Sequence, residues 1–88
     1  MHFGNNIEKF GFEKSSWPLI EIIDNPDGSQ IIYMGKSRVK DARENDNVWL
    51  VRKITINSKV GRQNIVTKQT ADWNNAWDLR ERLVYYLI

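Results

Sequence analysis

The residues able to do chemistry in this 88-residue chain are few and poorly spaced for it. It contains no Cys, and its one imidazole is His2. A nucleophile needs a neighbouring base to activate it, and a structural zinc site needs four Cys or His ligands, so with no Cys and one imidazole near the N-terminus neither is expected. Asp41, Glu44 and Asp46 are the densest acidic cluster. Carboxylates at that spacing can hold a hard cation or share acid–base work, but the interleaved Lys40 and Arg43 neutralise them and favour a solvated loop. MGKSR (residues 34–38) sets Gly-Lys-Ser after a candidate strand, as at the end of a phosphate-binding loop. That loop requires a second Gly five residues before Gly35, where the chain has Gln30. DNPDG starts like a calcium loop, yet Gly35 stands where the bidentate Glu is required. No enzyme, cofactor or metal site is expected.

Charge is the next resource. The net value is +2, unevenly spread. Residues 1–35 hold two Lys against five acids, residues 36–68 nine bases against three acids, and residues 69–88 two Arg against three acids. A basic middle between acidic ends can bind phosphate or meet the complementary end of a neighbour. Arg38, Lys40, Arg43, Arg52, Lys53, Lys59, Arg62 and Lys68, with Tyr33 and Trp49 among them, have the composition of a single-strand nucleic-acid platform. Small β domains also line strand edges with Lys and Arg to prevent edge-to-edge association, and the modest net charge favours that reading. A small basic nucleic-acid-binding β module is therefore the alternative function.

The elements that position these residues follow from periodicity. Residues 1–16, with Gly4 and Gly11 interrupting Phe3, Ile7, Phe10 and Phe12, read as an N-terminal arm ahead of one small domain at 17–88, with a first strand folded on its own core as the alternative. Phe3, Phe10, Phe12 and Trp17 are candidate contacts for another chain, as are Lys53 and Arg62. WPLIEIID, the turn NPDG and SQIIYMG predict a β-hairpin, with Pro18 marking an edge or a strand start. In NVWLVRKITIN, Trp49, Val51, Lys53 and Thr55 alternate with Val48, Leu50, Arg52, Ile54 and Ile56, so both faces of this strand are partly apolar. QNIVTKQ returns as a further strand. Asp72 is a candidate N-cap for a helix over 73–82, in which Trp73 and Trp77 would share one face, and YYLI follows extended. The expected core is Tyr33, Trp49, Val51, Trp73, Trp77 and Leu83. The fold class is mainly β: a small antiparallel sandwich or barrel-like domain with one short C-terminal helix.

A domain this size is marginal alone, and without Cys it depends on aromatic packing or a partner subunit. Four Trp, three Tyr and three Phe can supply either. No apolar run approaches the ~20 residues of a membrane span, and MHFGNNIEKF lacks the basic and apolar regions of a secretory signal.

The order Tyr33-x-Gly35, a loop, Val48-Trp49-x-Val51 with Lys53, and Trp77-Asp78-x-Arg80-x-x-Leu83-x-Tyr85 resembles a group of small virion proteins of tailed bacteriophages. The similarity covers about residues 33–85, and the loop KSRVKDAREND departs from the Gly-, Ala- and Thr-rich loop of that group. The resemblance implies a non-enzymatic structural protein of the virion, made in the host cytoplasm, serving as an assembly or adaptor subunit of the tail, neck or fibre region. Its partners would be other virion structural proteins, in a homo- or hetero-oligomer, with no membrane involved.

Overall fold

The computed structural model describes residues 17–59 and 62–88. Their order is β1 (Leu19–Asp24), β2 (Gln30–Ser37), β3 (Trp49–Lys59), β4 (Arg62–Gln69), a 3₁₀ helix (Trp77–Arg82) and β5 (Tyr86–Leu87). All strand pairs are antiparallel, and the order in the sheet equals the order in the chain. The expected mainly β, antiparallel domain is thus a single five-stranded meander, each face of which carries its own apolar cluster.

The hairpin forms where the turn chemistry places it. Gly28 adopts φ 90° and donates to the Asn25 carbonyl at 3.0 Å, a conformation that favours Gly. The Asp27 carboxylate accepts from the Ser29 N–H at 2.9 Å and the Ser29 hydroxyl at 2.6 Å, which holds that carboxyl below the usual range. The residues resembling a calcium loop therefore build a turn.

Alternation then sorts side chains onto two faces. On one face, Trp17, Met34, Leu50 and Ile54 are buried, with Ile20, Ile32, Ile56 and Trp73 against them. On the other, Tyr33, Trp49, Val51 and Trp77 are buried, with Leu19, Ile23, Ile31, Leu83 and Tyr85 against them. Val51, wholly inaccessible, marks the centre of the second face.

The expected ten-residue helix over 73–82 is instead a six-residue 3₁₀ helix from Trp77. Asp72 does not cap it. Its carboxylate accepts from the Asn74 N–H at 3.0 Å and from Asn75 Nδ2 at 3.2 Å. Asn75 and Trp49 exchange backbone hydrogen bonds at 2.9 and 3.3 Å. Residues 70–76 are thereby laid along β3 before any helix begins. Trp73 and Trp77, expected on one helical face, lie in the clusters on opposite faces of the sheet.

Candidate functional site

The motif residues converge on the second face. Tyr33 and Gly35 come from β2, Trp49, Val51 and Lys53 from β3, Trp77 and Arg80 from the 3₁₀ helix, and Leu83 and Tyr85 from the segment after it. Trp49 Nε1 donates to the Arg43 carbonyl at 2.8 Å, and the Asp78 N–H donates to the Glu44 carbonyl at 3.1 Å. Both bonds tie the polar loop to this cluster. Of the loop acids, Asp46 serves the loop itself, its carboxylate accepting from the Arg43 N–H at 2.9 Å. Among the described residues no group of three or more His, Cys, Asp or Glu is placed to hold a metal ion.

Arg80 closes the face. Its Nε and one terminal nitrogen donate to the two Glu21 carboxylate oxygens at 2.8 and 3.0 Å, and its other terminal nitrogen to the Trp77 carbonyl at 3.2 Å. The guanidinium lies 4.9 Å from the Trp77 ring centre. Its hydrogen bond holds the Glu21 carboxyl below the usual carboxylate range, and the same bond raises Arg80. The Tyr85 hydroxyl donates to the Arg80 carbonyl. Burial raises the Tyr85 phenol well above its usual value, with Tyr33 beside it contributing, and burial also raises Tyr33.

Next to this closed part lies an open cleft of about 350 Å³ lined by Lys53, Thr55, Val66, Lys68 and Tyr85. Lys53 and Lys68 are direct cross-strand partners. Lys53 Nζ lies 5.8 Å from both the Tyr33 and Tyr85 ring centres, and the one ion pair among the described residues is Glu21–Arg80. The cleft is therefore cationic.

The first face carries a second basic group, set over indoles. Lys36 Nζ is 4.6 Å from the Trp17 ring centre and 5.8 Å from that of Trp73. Arg38 lies 4.1 Å over Trp73, and Arg52 4.8 Å over Trp17. Arg52 also donates twice to Gln69 Oε1, at 3.0 and 2.8 Å, and burial lowers its pKa. These ring faces are occupied by the protein's own cations.

The expected partner-binding residues are not gathered in one place. Phe3, Phe10 and Phe12 lie outside the described residues. Trp17 is buried in its own sheet, with 6% exposure, and offers little surface to another chain. Lys53 lies in the cationic cleft, whereas Arg62 is exposed at the far end of β4, six residues from Lys68 and so about 20 Å along the strand. Of the expected core, Tyr33, Trp49, Val51 and Trp77 are buried, and Trp73 and Leu83 are half-buried.

Among the described residues the sheet also has open edges, a feature that sequence reasoning placed only loosely near Trp17. The Trp49–Asn75 bonds and the Thr70 N–H donating to the Val51 carbonyl at 2.9 Å show that odd-numbered β3 residues direct their backbone groups toward β4. Alternation carries this phase across the registers. Ile20, Ile22 and Asp24 of β1 then point N–H and C=O outward, as do Gln63, Ile65 and Thr67 of β4. Among the described residues no strand pairs with the outer side of β1, and β5 pairs with β4 only at Lys68 and Gln69. No protein-family model, curated protein or solved structure matches the chain.

Proposed function

We propose that this chain is a non-enzymatic assembly subunit that joins other proteins through the edges of its sheet. The observation that carries this reading is β1: six residues, LIEIID, with outward-facing backbone groups and apolar side chains on both faces. Such an edge is a template for strand addition, in which main-chain bonds supply affinity and alternate side chains supply selectivity. The segment before Trp17 adds Phe3, Phe10 and Phe12 as apolar anchors for a neighbour. The setting suggested by the resemblance in sequence is the tail, neck or fibre region of a tailed-bacteriophage virion, with other virion structural proteins as partners. Mass spectrometry of purified particles tests it: the chain is expected among the particle proteins, and abundance in infected cells without incorporation would refute the reading. Deleting residues 2–14 is expected to leave the β circular-dichroism spectrum intact while lowering incorporation.

A second reading, single-stranded nucleic-acid binding, is favoured by the gathering of Lys36, Arg38 and Arg52 at Trp17 and Trp73. Stacking platforms need a free ring face, and here the protein's cations cover the rings. Fluorescence anisotropy with single-stranded DNA and RNA at low salt separates the readings. The assembly reading expects no binding at high micromolar protein. Submicromolar, salt-sensitive binding lost on Arg38→Ala would favour nucleic acid.

A further inference from the structure

The two open edges of the sheet are complementary to each other. β1 spans six residues and carries two acids, Glu21 and Asp24, and no base. The stretch of β4 beyond β5, Arg62–Thr67, is also six residues long. Its strand carries two bases, Arg62 and Lys68, and no acid. Of these, Arg62 lies within the open stretch, whereas Lys68 already stands opposite Leu87 of β5.

The backbone phase agrees with the charge. Antiparallel addition requires outward-pointing residues of one strand to stand opposite those of the other, on the same face. The outward residues of β1 (Ile20, Ile22, Asp24) share the face of Met34 and Ile54, and those of β4 (Gln63, Ile65, Thr67) share that face too. A copy placed beside β4 therefore continues the meander with each face meeting its own kind. β1 runs antiparallel to β4, since three antiparallel steps separate them. Setting Ile20 opposite Ile65 covers an isoleucine that is 58% exposed. It also puts Ile22 opposite Gln63 and Glu21 opposite Asn64, diagonal to Arg62, so that Leu19–Ile23 of β1 pair with Arg62–Val66 of β4.

We infer that the chain self-associates head to tail, with β1 of one copy adding to the Arg62–Thr67 edge of the next in a continuous antiparallel sheet. This rests on the assembly reading and names one partner, a second copy. The contact is heterologous, so it propagates into a ring or a helical stack according to the sheet twist. Symmetric alternatives set an acidic strand beside an acidic one at β1, or a basic strand beside a basic one at β4.

Sedimentation velocity on the full chain tests this. A single added strand falls in the weak class of interfaces, below about 1,200 Å² in total, so the series runs to about 1 mM protein. The expected result is a mass that grows with concentration beyond the dimer. Ile22→Pro removes an outward N–H of β1, and Ile65→Pro one of β4, each without removing a bond to its own neighbour. Either variant alone is expected to remain monomeric, and their equimolar mixture to form a dimer and stop. Where a proline variant loses the β spectrum, Asp24→Lys and Ile65→Lys replace it in the same design. A wild-type chain monomeric at about 1 mM, or single variants that still dimerise alone, would overturn the head-to-tail contact. A monomeric chain that is nevertheless found in particles sinks this inference and leaves the assembly reading standing. Self-association of a chain absent from particles supports the contact and removes the virion setting.

Discussion

The indole of Trp77 lies directly on Gly35. A Cβ at position 35 would stand 2.5 Å from Trp77 Cε3 and 2.8 Å from Cζ3. The glycine of the Tyr33-x-Gly35 motif is therefore the seat of the tryptophan of the last motif, 42 residues later in the chain. Gly35→Ala is expected to force the ring or the strand aside and cost about 1–3 kcal/mol, at about 4–8 °C of melting temperature per kcal/mol for a domain this small. Trp77→Leu in the same chain should remove the clash, so the double variant is expected to lose less stability than the sum of the single ones. Additive losses in thermal melts would show that Gly35 is needed for another reason.

The loop over 38–48 is held down by Trp49. Its Nε1 bond to the Arg43 carbonyl is one of the two bonds that tie the charged loop to the core. Trp49→Phe keeps a ring in the cluster and removes the donor, for an expected loss of about 1–3 kcal/mol. Limited trypsin digestion is expected to cut faster at Arg38, Lys40 and Arg43, while strands β1 and β2 remain protected. Unchanged cleavage of that loop would mean that the Asp78–Glu44 backbone bond suffices to hold it.

How much of this was legible in the sequence depends on the range of the interaction. The hairpin over 19–37 and the long strand from Trp49 are local: alternation and the turn residues Asn25, Pro26 and Gly28 suffice to place them. The helix was misplaced because Asp72 looks like a cap when only its neighbours are considered. In the fold its carboxylate serves Asn74 and Asn75, and Asn75 is captured by Trp49, 26 residues away. That capture sends Trp73 and Trp77 to opposite faces, which no four-residue spacing can reveal. The Arg80–Glu21 pair spans 59 residues, a separation that no local pattern reveals. Of the open edges among the described residues, Pro18 hinted at the one on β1, whereas the one on β4 follows from the strand order and from the short pairing with β5.

The Glu21–Arg80 pair sets an acid limit to stability. The Glu21 carboxyl is held below its ordinary value in the fold, chiefly by the Arg80 hydrogen bond. The contribution is then fully present above the unfolded carboxyl's pKa of about 4.3, and it is lost as pH falls through the lower folded value. The melting temperature is expected to drop below about pH 4 by more in the wild type than in Glu21→Gln, which cannot titrate. The effect is modest because the pair is partly solvated: the Glu21 side chain is 37% exposed. At the alkaline end the sign reverses. Tyr85 is raised by burial, so the unfolded chain deprotonates first and stability falls as pH rises above about 10. Tyr85→Phe should flatten that limb. A wild-type profile with no alkaline loss would show the phenol to be hydrated.

Lys53 and Lys68 offer the opposite kind of test, a substitution that should stabilise. They are direct partners across β3 and β4 on the face where no acid pairs with either among the described residues. Directly opposed like charges destabilise a strand pair, and opposite charges contribute roughly 0.2–1 kcal/mol. Lys68→Glu is therefore expected to raise the melting temperature by a few degrees at low salt, through repulsion removed and attraction gained. The two lysines are not equivalent. Lys68 is exposed, whereas the Lys53 ammonium also sits 5.8 Å from the Tyr33 and Tyr85 rings, contacts with the ring faces that a carboxylate would turn unfavourable. Lys53→Glu should therefore gain less than Lys68→Glu or lose stability outright. Salt separates charge from packing: with a Debye length of about 3 Å at 1 M, the gain from Lys68→Glu should vanish there, while the difference at the Tyr rings should persist. Equal gains from the two substitutions would show that the aromatic walls of the cleft do not hold Lys53.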